Sequence, residues 1–128
     1  MDWLLAERTK RTLFALWCLG WVMVAVKSLQ PDLQLPMSLS DKTVHFAAYA
    51  FMAAAVAGFC HAPGRIVGWA AATVALGGLL ELGQELVPSR TADLADLAAD
   101  AAGAACGALL ALLWLFLVVR PLRPSLAR

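Results

Sequence analysis

Residues 93–119 read DLADLAADAAGAACGALLALLWLFLVV, and this stretch decides the fold. Asp93, Asp96 and Asp100 open it, and no charge or proline follows until Arg120. A helix needs roughly 20 mostly apolar residues to cross a bilayer, and this segment meets that length. The aspartates are spaced three and four apart, so they form one stripe descending about 10 Å along a helix. The stripe continues as Gly103 and Gly107, a GxxxG pattern that lets a second helix backbone approach closely. A carboxylate deep in a bilayer costs roughly 2.5–3.5 kcal/mol. The stripe is therefore expected to face other helices, with Asp100 its deepest member.

The rest of the chain fits the same solvent. Its 128 residues are 62% hydrophobic and 15% charged, with a mean hydropathy of +0.75. Soluble domains run nearer 45–50% apolar and about 25% charged. The length suits one unit, residues 1–128, without a second domain. A net charge of +1 with no basic stripe argues against a nucleic-acid partner. Cys18, Cys60 and Cys106 lie in or beside apolar runs without CxxC spacing, so neither a disulfide framework nor a cysteine zinc site is expected. No cofactor motif is present.

Hydropathy predicts an all-α integral membrane bundle of about four transmembrane helices, near 12–29, 41–60, 65–87 and 93–119. The first has a basic start, as a signal peptide would, but no small-x-small cleavage site follows it, and it is read as a helix. Pro31 and Pro36 mark a loop, and Pro63-Gly64 a tight turn. Ser40 or Asp41 is placed to cap the second helix and Thr91 the fourth. Short connections predict that helices two and three, and three and four, are antiparallel neighbours. Arg8, Lys10, Arg11, Arg65, Arg120, Arg123 and Arg128 fall at one set of helix ends, and Lys27, Lys42 and Arg90 at the other. By the positive-inside rule both termini are cytoplasmic.

The remaining polar residues gather at the outward ends. Asp41, Lys42 and His45 open the second helix, with Tyr49 a turn below. Glu81, Gln84 and Glu85 close the third, Arg90 is in the loop, and Asp93, Asp96 and Asp100 enter the fourth. Plain explanations exist for some of them. Asp41 and Asp93 can offset helix dipoles, Lys42 and Arg90 can sit at headgroup level, and His45 with Tyr49 can form an interfacial pair. Glu81 and Glu85 resist such readings, because acids near a helix C-terminus oppose its dipole. Arg90 is the expected fork-like partner of one carboxylate. Close-set carboxylates cannot all stay ionised without a cation or proton among them. A bound cation, a proton relay or an amine-bearing substrate would each suit the cluster.

Asp41-Lys42-x-x-His45, Glu81-x-x-Gln84-Glu85 with Pro88-x-Arg90, and Asp96-x-x-x-Asp100-x-x-Gly103-x-x-x-Gly107 together resemble the VanZ-like membrane proteins. The resemblance runs from Ser40 to Leu117 and rests on three motifs in order. That family is named for a factor conferring resistance to the glycopeptide antibiotic teicoplanin. The resemblance implies a bacterial cytoplasmic membrane and a link to the cell envelope, but no defined reaction. Position 100 departs from the family pattern, which usually has Asn, so a role needing a neutral amide there does not carry over.

The leading expectation is an envelope protein whose outward pocket binds a cell-wall or lipid-linked ligand, or a cation. In it Glu81, Glu85, Asp96 and Asp100 supply negative charge, while Lys42, His45 and Arg90 orient the ligand. The alternatives are a membrane hydrolase or transferase using His45 and a carboxylate, and an ion-coupled transporter, in which a homo-oligomer would form through the glycine face. No HExxH, serine elbow or phosphatase signature supports the enzyme. The apolar cytoplasmic half of each helix argues against the transporter.

Overall fold

In the structure, a computed structural model describing residues 2–30, 40–88 and 90–122, helices occur without a single strand among the described residues. Pro31, Pro36, Ser89, Arg123 and Arg128 lie outside the described residues.

Helix α1 spans Asp2–Ser28, beginning well before the apolar run. Residues 2–11 contain no breaker, and polar side chains there support the helix. Lys10 pairs with Glu7 at 2.8 Å one turn away, and the Thr12 hydroxyl donates to the Arg8 carbonyl. Helix α2, Asp41–Ala55, is capped by Ser40, whose hydroxyl accepts from the Thr43 N–H. It tightens into a 3₁₀ turn at Val56–Gly58 and so ends before position 60. In its last turn the Met52 carbonyl accepts from the Trp17 indole at 2.8 Å.

Helix α3 covers Pro63–Gln84. It starts earlier than expected because Pro63 occupies a first-turn position, where its missing N–H costs nothing. It also stops at Gln84, short of 87. Helix α4 runs Leu94–Trp114 and continues through a π-helical turn, Leu115–Val119, into Arg120–Leu122. Its cap is Asp93, not Thr91: the Asp93 carboxylate accepts from the Ala95 N–H at 2.8 Å.

Three segments are long and apolar enough to cross a membrane: Ala6–Ser28, Pro63–Gln84 and Leu94–Val119. Helix α2, at 15 residues, rises only about 22 Å, against a hydrocarbon core of about 30 Å. The molecule is apolar on its outside as well as within, with Leu82, Phe51 and Leu117 each about two-thirds exposed at 66–70%.

The main packing is between α2 and α4, with α3 next on α4 and α1 at the edge. This differs from sequence order, which pairs α2 with α3. Gly103 and Gly107 are the reason. A Cβ at either would overlap the carbonyl oxygen of Phe46 or Ala50 on α2, so the backbones meet where side chains are absent. Around this seam Tyr49, Met52 and Val56 are buried against Ala108, Ala111 and Leu115. Helix α1 joins through an aromatic patch in which Trp17 meets Trp69 edge-on at 5.0 Å and Trp21 meets Tyr49 at 5.6 Å.

Candidate functional site

The C-terminal ends of α1 and α3 and the N-terminal ends of α2 and α4 meet at one end of the bundle, and the acidic residues converge there. Lys42 on α2 reaches across to α4, with Nζ 3.0 Å from Asp93 and 3.2 Å from Asp96. Asp93 does several things at once. It caps α4, pairs with Lys42, and donates its own N–H to Glu81 on α3 at 3.0 Å. Its carboxyl is held below the usual carboxylate range, chiefly by the Ala95 N–H and then by the Lys42 ammonium.

Glu81 thus has the capping role that its place in α3 argued against. The N–H it satisfies belongs to the start of the next helix. Glu85 does not join it. That residue is the C-cap of α3 and points outward, exposed, because the helix has ended and the four-residue spacing no longer keeps it on the Glu81 face.

Below this layer His45 and Asp100 pair in the interior. His45 Nδ1 lies 3.0 Å from Asp100 Oδ1 and 4.0 Å from Glu81 Oε1, and Nε2 lies 4.0 Å from Asp41. Asp100 is fully buried and Glu81 is 5% exposed. Tyr49 stacks parallel to the imidazole with an interplanar angle of 7°. Asp100 Oδ2 has no hydrogen-bond partner. It faces α3 at Gly77, where a Cβ would come within 2.7 Å of it and 2.8 Å of the Tyr49 ring. Gly77 is therefore what lets the acid and the tyrosine be buried together.

Beside the cluster a groove of about 360 Å³ opens between α1 and α2. Met23, Val24, Val44 and Ala48 give it apolar walls, and Lys27, Ser28, Gln84, Arg90, Asp41 and His45 line it too. Gln84 ties α3 to α1 through its amide, which donates to the Ser28 hydroxyl at 2.8 Å. The Arg90 guanidinium donates through Nε to the Gln30 carbonyl at 3.2 Å. Asp93 and Asp96 are bridged by Lys42.

No family model, curated protein or solved structure matches the chain.

Of the expected site residues, the structure brings Asp41, Lys42, His45, Glu81, Asp93, Asp96 and Asp100 into one network. Gln84 and Arg90 border the groove, while Gly103 and Gly107 form the α2–α4 seam. Glu85 stands apart. Sequence reasoning missed Gly77 and Ser28. A Gly77-Gly78 pair inside an apolar helix was the available signal for the first, since interior glycine weakens a helix and marks a close approach. Nothing in the sequence marks Ser28 as the partner of Gln84.

The arrangement can hold positive charge among buried carboxylates and can present Lys27, Arg90 and His45 to the anionic end of an amphiphile. It also orients one imidazole through a buried acid, as acid–base catalysis and metal binding both require.

Proposed function

We propose that this chain is a VanZ-like multi-pass protein of the bacterial cytoplasmic membrane. It crosses four times with both termini inside, and its polar end faces outward to bind an anionic lipid-linked or cell-wall-related ligand. The observation that carries this reading is the coincidence, at one end of the bundle, of a polar network and an amphipathic groove. The apolar walls suit an acyl or isoprenoid chain. The cationic groups Lys27 and Arg90 suit a phosphate or carboxylate. The fourth crossing is supported by α2 lying along the Gly103–Gly107 seam, deep within the apolar length of α4. The biased distribution of Lys and Arg supports the orientation. Tolerance of glycopeptide antibiotics, which act outside the membrane, is the phenotype the resemblance suggests.

Complementation in the source bacterium tests this. The gene is deleted and restored as wild type, Lys27→Gln, Asp96→Asn or Glu85→Gln, with membrane levels matched by immunoblot. Sensitivity to cell-wall antibiotics and the membrane lipid profile are then scored. Wild type and Glu85→Gln should restore the phenotype, and Lys27→Gln and Asp96→Asn should not. Equal rescue by all four would remove the site from the function.

The His45–Asp100 pair favours a second reading, a membrane hydrolase or transferase in which His45 acts as acid and base. Purified protein that turns over no lipid-linked phosphate or ester, with or without divalent metal, would eliminate it.

A further inference from the structure

We propose that His45, Glu81 and Asp100 form a binding site for a divalent first-row metal ion. The inference goes beyond the groove and its ligand and does not depend on what fills it.

The geometry comes first. The three residues come from α2, α3 and α4, and one donor atom from each lies within 4.8 Å of the others. A tetrahedral ion with bonds of about 2.0–2.1 Å holds its ligands roughly 3.3–3.4 Å apart. His45 Nδ1 sits 3.0 Å from Asp100 Oδ1 and 4.0 Å from Glu81 Oε1. These two separations straddle the required one and the third lies within 4.8 Å, so side-chain rotations that draw Glu81 inward by about an ångström would close the shell.

Charge is the second argument. Glu81 and Asp100 are both buried, and an ionised carboxylate out of water is costly unless paired. One imidazole serves both of them, and even as an imidazolium it offsets one negative charge of the two. The ammonium of Lys42 is engaged by Asp93 and Asp96, and Asp41 brings a further carboxylate to the far nitrogen of His45. A divalent ion beside a neutral imidazole would balance the buried pair.

The third argument is independent of the cluster's own contacts. Asp100 Oδ2 is buried with no hydrogen-bond donor, although buried carboxylate oxygens nearly always have one. It turns toward α3 at Gly77, one helical turn from Glu81. Asp100 therefore keeps acceptor capacity on the α3 side of the cluster, where the Tyr49 hydroxyl is the neighbouring polar group. The donor set of one nitrogen and carboxylate oxygens, without sulfur, suits Zn²⁺, Mn²⁺ or Fe²⁺. Three protein ligands would leave a position open for water or an anionic group, and His45 already borders the groove.

The test uses the full chain, purified in detergent, stripped with chelator and titrated separately with Zn²⁺ and Mn²⁺. Metal content is measured by elemental analysis after desalting, and thermal unfolding is followed by circular dichroism. Wild type should retain one ion per chain. Its midpoint should rise by roughly 10 °C at an ion concentration about a hundredfold above Kd. Asp100→Asn and Glu81→Gln, which keep side-chain size, should bind at least about 100-fold more weakly, while Glu85→Gln, exposed and outside the network, should bind as wild type does. Tetrahedral Co²⁺ absorption, present in wild type and lost in His45→Gln, gives a readout that a merely destabilised variant would not mimic. Substoichiometric metal with no thermal shift for either ion would overturn the proposal and assign the buried charge to a proton. Unchanged binding by Asp100→Asn and Glu81→Gln would overturn it equally.

Discussion

Asp93 links three helices through three different contacts, and its titration should be visible in the stability of the whole protein. Its carboxyl is held below its ordinary value, so its stabilising contribution is complete above the unfolded value of about 3.9. That contribution is lost as pH falls through the lower folded value. Thermal midpoints of wild type and Asp93→Asn, measured from pH 7 to pH 3, should differ by a constant amount down to about pH 4 and then converge. A gap that stays constant throughout would mean that the charge on Asp93 does not matter. Legibility at this scale divided by physical cause. Asp96 and Asp100 were readable because their spacing holds along an unbroken helix. Glu85, grouped with Glu81 by its place at the end of the third helix, falls outside because α3 stops at Gln84. Glu81 misled in the other direction, since a cap supplied from another helix leaves no local pattern. Lys42 and Arg90 share the ligand-orienting role in the sequence reading, and no spacing rule shows that Lys42 spans to both Asp93 and Asp96.

Among the elements, the pairing of α2 with α4 depends on two positions without side chains. Substituting Leu for Gly103 or Gly107 would drive a side chain into the α2 backbone, where even a Cβ overlaps a carbonyl oxygen. Overpacking of this kind costs about 1–3 kcal/mol when neighbours can yield, and backbone yields less than side chains. Both variants should therefore unfold at lower denaturant, while Gly68→Leu, which faces open space, should cause at most the helix-propensity change. Unfolding by a strong detergent titration would measure all three. The GxxxG pattern marks a close approach but not which helix makes it, because small residues define a groove and not its occupant. The helix ends were blurred for a similar reason. Hydropathy finds the apolar run, whereas Ser40, Pro63 and Asp93 set the boundaries through backbone satisfaction.

For the whole molecule, the all-helical architecture and its apolar exterior were plain from composition, and three segments have the length to cross a bilayer. The proposed fourth crossing by α2 is a different matter, since 15 residues and a short turn fall just below the expected span. Cysteines introduced at position 2 and at position 64 should be shielded from an impermeant thiol reagent in intact cells. One at position 86 should be labelled, in a background where Cys18, Cys60 and Cys106 are replaced. Labelling at position 64 without position 2 would put the Pro63 turn outside and remove α2 from the count.

The aromatic side chains have a practical consequence. Tyr49 lies parallel to His45 with ring centroids 6.4 Å apart and meets Trp21 edge-on, so an indole stands one ring away from the imidazole that every reading of the site involves. Whatever proton, ion or headgroup reaches His45 alters the field around that ring stack. Trp21, one of five tryptophans, is thereby placed as an optical reporter: binding at His45 should shift its share of the native emission, without a label and inside a lipid environment.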